Sequence, residues 1–287
     1  MIYRIKSNVI AVIVVAFLTL IISFFTFEAK DTMSNKIEEG IRVPIIMYHS
    51  ILNEPKRAGK YVVSENQLEK DIIFLKDNGY SAITVSDLIE YKENDEYILP
   101  LKPIIITFDD GYYNNYVYAY PLMKKYNFKC VISVVGEYSA KNKPDEILRA
   151  NYSHLTFEQI KEMNESGYVE IANHSFNMHT NSKTRNGSGK NKNESIEKYS
   201  EIFIDDTTKL QNMLFEQSSL SPTCYTFPFG KMCEEANPLL KEMGFKATLS
   251  CYEKINYITK DSDLFGLFRF NRPSGKSSEQ YFNKILS

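Results

Sequence analysis

Asp109 and Asp110, in the run TFDDG (107–111), are carboxylates on neighbouring residues. Neighbouring side chains of an extended chain point to opposite sides, so the two can take different tasks. Held close together they repel, and a cation or a proton must relieve them. Gly111 lets the backbone turn sharply behind them. A helix cap is the competing reading, since an Asp-Asp-Gly turn also suits a helix starting near Asn115. His174 and His179, two of only four His, lie in NHSFNMH (173–179). At a spacing of five they share neither a helix face nor a strand face, so a turn must converge them. Asn173, Ser175 and Asn177 suit such a turn. Two imidazoles and a carboxylate form a ligand set for zinc or a similar divalent ion, with one position left open for water. Taken alone, the pair reads equally well as surface or hydrogen-bonded His.

Elements that alternate between short β-branched runs and amphipathic stretches must position these groups. Strands are predicted at Val43–Tyr48, Ile104–Phe108, Cys130–Val135, Val169–Ala172, Cys224–Phe227, Lys246–Ser250 and Phe268–Phe270. Helices are predicted from Ser64 to about Asp77, then over Val85–Tyr91, Asn115–Tyr126, Thr156–Asn164, Ile196–Phe215 and Glu234–Met243. This alternation implies parallel βα units. Their number predicts an α/β fold, an incomplete or distorted barrel of seven or eight units, with a doubly wound open sheet as the alternative. His49, His174, His179, the Asp pair and Pro228-Phe229-Gly230 all fall at or just after the downstream ends of predicted strands. In α/β barrels those ends build the active site. Tyr112 and Tyr113 are placed to present aromatic rings at the barrel mouth, whereas Tyr116, Tyr118 and Tyr120 read as packing residues. The polar segment Thr180–Glu194 reads as an exposed, mobile loop.

The 287 residues are 43% hydrophobic and 24% charged, with a formal net charge of -2. That excludes a disordered chain and argues against a nucleic-acid binder that works by phosphate neutralisation. Four Cys do not make a disulfide scaffold. Val9–Phe27 carries no charge and approaches the roughly 20 residues that span a bilayer as a helix. Arg4 and Lys6 precede it, which predicts a cytoplasmic N-terminus and an exported remainder. Residues 1–28 therefore read as a signal anchor, 29–42 as a tether and 43–287 as one catalytic domain. A cleaved signal peptide, with secretion, is the alternative.

With these motifs the chain resembles the polysaccharide deacetylases, the carbohydrate esterases that share the NodB homology domain. TFDDG is similar to the family's first motif, NHSFNMH to its second and YTFPFG (225–230) to its third. The resemblance implies removal of acetyl groups from N-acetylglucosamine residues of an envelope or extracellular polysaccharide. It implies one divalent metal ion, zinc first, with cobalt, nickel or iron as alternatives. By position it implies Asp109 as general base and Asp110, His174 and His179 as metal ligands. Ser175 would support the metal loop, and Pro228, Phe229, Gly230 and Tyr112 would line the substrate and oxyanion site. The third motif lacks its usual Arg, for which Arg269 or Arg272 is the expected substitute. The acidic-Trp motif and the C-terminal Leu-x-His motif are also absent. VPIIMYHS (43–50) resembles the opening strand of the circularly permuted poly-N-acetylglucosamine deacetylases, which implies His49 as general acid. Asp261 or Asp263 would orient it. The expected state is a membrane-attached monomer with its domain outside the cell. Two rivals remain: a glycan-binding protein without activity, and a barrel glycosidase using Asp109 with a second carboxylate.

Overall fold

Parallel strands covered on both faces read as continuous apolar runs, because neither side meets water. β1 (Ile45–Tyr48), β3 (Pro103–Phe108) and β4 (Cys130–Val134) are such runs, buried at every position. With β2 (Ser81–Ala82), β5 (Val169–Asn173), β6 (Cys224–Thr226), β7 (Ala247–Leu249) and β8 (Phe270–Asn271) they form one sheet. The structure is a computed structural model and describes residues 40–142, 147–182 and 184–286. Residues 42–256 and those from 260 onward belong to one compact unit.

The strand order is β7-β6-β5-β4-β3-β1-β8, with β2 paired to the start of β3. Every pairing is parallel. Leu267 bridges to Leu249 on β7, and Phe270, a few residues later, pairs with Ile46 on β1. One irregular segment thus links the two ends of the sheet, and the fold is a distorted β/α barrel. β1, the first strand of this sheet in chain order, sits between β3 and β8. Its register sets Tyr48 opposite Phe108, so His49 and Asp109 emerge side by side.

The intervening helices begin where their caps lie. α1 (Glu65–Asp77) starts on Ser64, whose hydroxyl accepts the Gln67 N–H. α2 (Val85–Glu93) and α5 (Phe157–Glu165) start on capping boxes, Thr84 with Asp87 and Thr156 with Gln159. The helix expected over Asn115–Tyr126 is a π turn, Asn115–Ala119, running into α3 (Tyr120–Tyr126). α4 (Gly136–Lys141), α6 (Ile196–Ser218), α7 (Ala236–Glu242) and α8 (Ser278–Leu286) complete the set. α4, α8 and β2 were not expected. α8 buries Tyr281, Phe282 and Ile285, and Phe282 stacks on Phe74 of α1.

The segment expected to be a mobile loop is internally braced. Arg185 forks onto Glu194 at 3.1 and 2.5 Å, and Gly187 and Ser188 are buried. Among the described residues no helix is long and apolar enough to cross a membrane. The predicted span, Val9–Phe27, lies outside the described residues.

A buried ion pair ties α1 to the sheet. Both Asp71 oxygens accept from Arg272, at 2.8 and 3.0 Å, and one also accepts the Tyr48 hydroxyl at 2.8 Å. Removing one member leaves a buried charge alone, at about 3–5 kcal/mol, whereas replacing both by apolar side chains is often neutral. Asp71→Ala is therefore expected to lower stability by about that amount. Asp71→Leu with Arg272→Met should lose much less. Urea unfolding of the two variants checks this; equal midpoints would refute it.

Candidate active site

Asp109 leaves the end of β3 and is buried, its N–H donating to the Tyr48 carbonyl at 3.0 Å. Arg269, fully buried just before β8, donates to both its oxygens, at 2.7 and 2.9 Å. The same guanidinium donates to the Ser250 carbonyl at 2.7 Å and the Thr107 hydroxyl at 3.2 Å. Burial alone would raise the Asp109 pKa, but the charge of Arg269 holds it below the ordinary carboxylate value. Arg269 thus stands where an Arg was missing from the third motif. Arg272 does not, because it is committed to Asp71. The two positions are three apart on an extended segment and face opposite ways.

Asp110 takes a left-handed conformation, φ 73°, that turns its carboxylate away from that of Asp109. At Gly111 behind it, φ 64°, a Cβ would be strained and would press on Val134 at 3.1 Å. The Nε2 atoms of His179 and His174 approach the same Asp110 oxygen, at 3.0 and 3.5 Å. That oxygen, Oδ1, is buried and has no hydrogen-bond partner. The convergence of two ring nitrogens on one carboxylate oxygen is an arrangement that a shared cation would suit. Ligand atoms of the three residues lie within 4.8 Å of one another. Burial opposes ionisation of Asp110, yet the imidazoles of His174 and His179 close beside it hold its pKa well below the usual range. His174 Nδ1 lies 2.7 Å from the Thr226 carbonyl, which sets the tautomer and leaves Nε2 free to act as a ligand. The donor set therefore fits a divalent cation such as zinc.

The loop between the two His is as constrained as expected. Ser175 has φ 69°, donates its N–H to Asn173 at 2.9 Å and accepts the Met178 N–H on its hydroxyl at 3.1 Å. Pro228-Phe229-Gly230 follows β6 as a tight turn with Phe229 at φ 55°. The Phe229 ring leans on His179 at 4.4 Å yet stays 45% exposed. A Cβ on Gly230 would meet Cys251 Cβ at 2.7 Å, so glycine is required there. Of the five non-glycine residues with positive φ among the described residues, Asp110, Ser175 and Phe229 surround the site; Asn127 and Ser219 end helices. Such conformations cost of order 1–3 kcal/mol each and collect at functional sites.

His49 closes the opposite side. Its ring packs on Tyr61 at 4.6 Å, and its Nδ1 is buried without a hydrogen-bond partner. Burial lowers its pKa, opposed by the charges of Asp109 and Asp110. Those are the carboxylates that act on it, not the expected Asp261 or Asp263. Asp261 is exposed, and Asp263 pairs with Lys241 at 2.9 Å.

Several contributors escaped the sequence reading. The π turn brings Asn114 and Asn115 against β1 and the residues that follow it. Asn115 donates to the His49 carbonyl at 2.9 Å, and Asn114 accepts the Ile51 N–H at 2.8 Å. Turns of this kind often mark functional sites. His154 stacks between Tyr112 at 5.0 Å and Tyr138 at 4.5 Å. Burial lowers its pKa to about 4, so it is neutral near pH 7. Tyr112, by contrast, was named from the sequence; it lies close to Asp110, its pKa pushed up by burial and by that carboxylate.

The sequence model of the polysaccharide deacetylase family matches residues 98–248. That is more than half of the chain, which belongs to this family, a family of hydrolases acting on N-acetyl groups. It is 29% identical to the Bacillus subtilis (strain 168) protein YxkH, named for the same family, over 86% of this chain and 77% of that one. It is 27% identical to the poly-beta-1,6-N-acetyl-D-glucosamine N-deacetylase of Staphylococcus aureus (strain MRSA252), over 69% of this chain and 64% of that one. The match thus spans less than two thirds of that relative. A solved de-N-acetylase from Aggregatibacter actinomycetemcomitans superposes with a TM-score of 0.71 at 26% identity, over 84% of this chain and 99% of that one.

Proposed function

We propose that the protein is a metal-dependent N-deacetylase. It removes acetyl groups from N-acetylglucosamine residues of a cell-envelope or extracellular polysaccharide and releases acetate. One observation carries the metal dependence: the buried, unbonded Asp110 Oδ1 faced by two imidazole nitrogens. A divalent cation held there, with zinc as the proposed ion, supplies a Lewis acid that acidifies water and polarises a carbonyl.

The chain's own residues do the rest. Asp109, kept ionised by Arg269, takes the proton of the attacking water as its oxygen adds to the acetyl carbon. The bidentate grip of Arg269 aims the carboxylate and leaves each oxygen a further lone pair. Around Pro228–Gly230 the N–H groups of Phe227, Gly230 and Lys231 are bonded to backbone carbonyls, which leaves the Phe229 N–H as the proposed oxyanion donor. His49, as imidazolium, gives its proton to the sugar nitrogen as the carbon–nitrogen bond breaks. Asp109 and Asp110 counter the burial that disfavours that charge. Phe229 and Tyr112 line the groove for the sugar.

Acetate release from poly-N-acetylglucosamine, peptidoglycan and chitin oligomers, with metal-reconstituted protein, tests the reading. No acetate from any of them would sink it. His49→Ala is expected to lower kcat by roughly 10²–10⁴. An aryl acetate ester, whose leaving group needs no proton, should be cleaved almost as before. Equal losses on both substrates would exclude His49 as the acid.

Topology completes the proposal. Val9–Phe27 serves as a signal anchor and holds a monomeric domain outside the membrane, with cleavage and secretion as the alternative. The rival of a glycan-binding protein without activity rests on the missing third-motif Arg and acidic-Trp motif; Arg269 on Asp109 does the work of that Arg.

A further inference from the structure

The loop that carries His174 and His179 is gripped from outside by a single carboxylate. Asp206, on α6, accepts the Phe176 N–H on Oδ1 at 2.8 Å and the Asn177 N–H on Oδ2 at 2.7 Å. Both donors lie between the two His in the sequence. Consecutive N–H groups in a loop have no ladder to join, and an ionised carboxylate takes two of them strongly. The carbonyls of the same loop are taken from the other side. Gly136 donates to Ser175 at 3.1 Å and Glu137 to Phe176 at 2.8 Å, both at the start of α4.

Neighbours of Asp206 on α6 extend the grip. Asn173 donates to the Thr207 carbonyl at 3.2 Å and to Gln211 at 3.1 Å. The Lys209 ammonium lies 3.7 Å from the centre of the Phe176 ring. One short stretch of α6 therefore holds Asn173, Phe176 and Asn177. His174 and His179 do not touch Asp206 in any of these contacts, yet their spacing follows from them.

We propose that Asp206 is a positioning residue for the metal: through two backbone bonds it sets how far apart, and at what angle, His174 and His179 are held. The inference rests on the metal reading above. Groups that orient ligands from outside typically change metal affinity about 10–100-fold.

The test measures zinc affinity of the full-length chain by competition with a chromophoric chelator, for the wild type, Asp206→Ala and Asp206→Asn. Asp206→Ala should weaken binding about 10–100-fold. Asp206→Asn should weaken it less, because its amide oxygen keeps one of the two bonds. Far-ultraviolet circular dichroism should be unchanged, and kcat/KM should be low at limiting zinc and recover as zinc is raised. An unchanged zinc constant in both variants overturns the proposal. So does a loss of activity that zinc does not restore, which is what a merely structural role would give. Should the Ala variant fail to fold, the isosteric Asn variant carries the comparison. A wild-type chain that binds no zinc overturns the metal reading itself, before any variant is compared.

Discussion

Asp109→Asn is expected to lower kcat/KM by roughly 10²–10⁴, the usual worth of a positioned general base. Asn keeps the shape of Asp and can still accept one bond from Arg269, but it cannot take a proton from water. Zinc content should stay at the wild-type level, because Asp109 is not among the three residues that share the cation geometry. Stability should fall as well. Arg269 is fully buried, and its charge would lose its partner, at about 3–5 kcal/mol. Steady-state kinetics, metal analysis and urea unfolding separate the three effects. A variant that keeps both its zinc and its rate would remove Asp109 from the mechanism.

Asp110→Asn is expected to abolish both metal uptake and turnover, with a rate loss on the order of 10³ or more, since the oxyanion loses its main electrostatic support. Asn suits this test better than Ala. At φ 73° a residue with a Cβ is strained, and Asn tolerates the left-handed region better than most. A strong chelator should reproduce the loss in the wild type and have no further effect on the variant. Activity that survives both treatments would rule out the metal assignment. The metal-free wild type should also be sensitive to acid. The folded-state pKa values of Asp109 and Asp110 lie below their unfolded values near 4, so the pair contributes stability that is complete above about pH 4. That stability is lost as the pH falls through the folded-state values. Unfolding midpoints of the metal-free wild type and Asp110→Asn, compared at pH 3 and pH 6, should converge at the lower pH.

Much of the site was legible because its parts are contiguous. TFDDG, NHSFNMH and YTFPFG each place donors, turn formers and a strand end within a few residues, and each folds locally as read. Other parts had local signals that were passed over. SSEQYF carries the capping box of α8, with Ser277 and Gln280 bonding each other's backbone N–H. The apolar strands were found to within a residue or two, except where pairing set the ends. Predicted Val43–Tyr48 is interrupted at Pro44, with Val43 ending a separate short strand (Ile41–Val43), and predicted Phe268–Phe270 is regular only over Phe270–Asn271.

What remained was undecidable from the chain alone. Arg269 and Arg272 are equivalent in FRFNRP until β8 has a register. Pairing Phe270 with Ile46 then turns one toward Asp109 and the other toward Asp71. Asp206 is 27 residues beyond His179, and only the rotation of α6 about its axis brings its carboxylate to the loop.

By itself the sequence determined the chemistry on offer, the donor types, their turns and the parallel α/β plan, since these follow from local spacing and burial. Tertiary structure alone decided which distant partner completes each group. The chain closes Arg269 onto Asp109, His49 beside it and Asp206 behind the loop of His174 and His179 through strand register and helix phase. Both are set by packing the whole barrel, and no short stretch of residues encodes them.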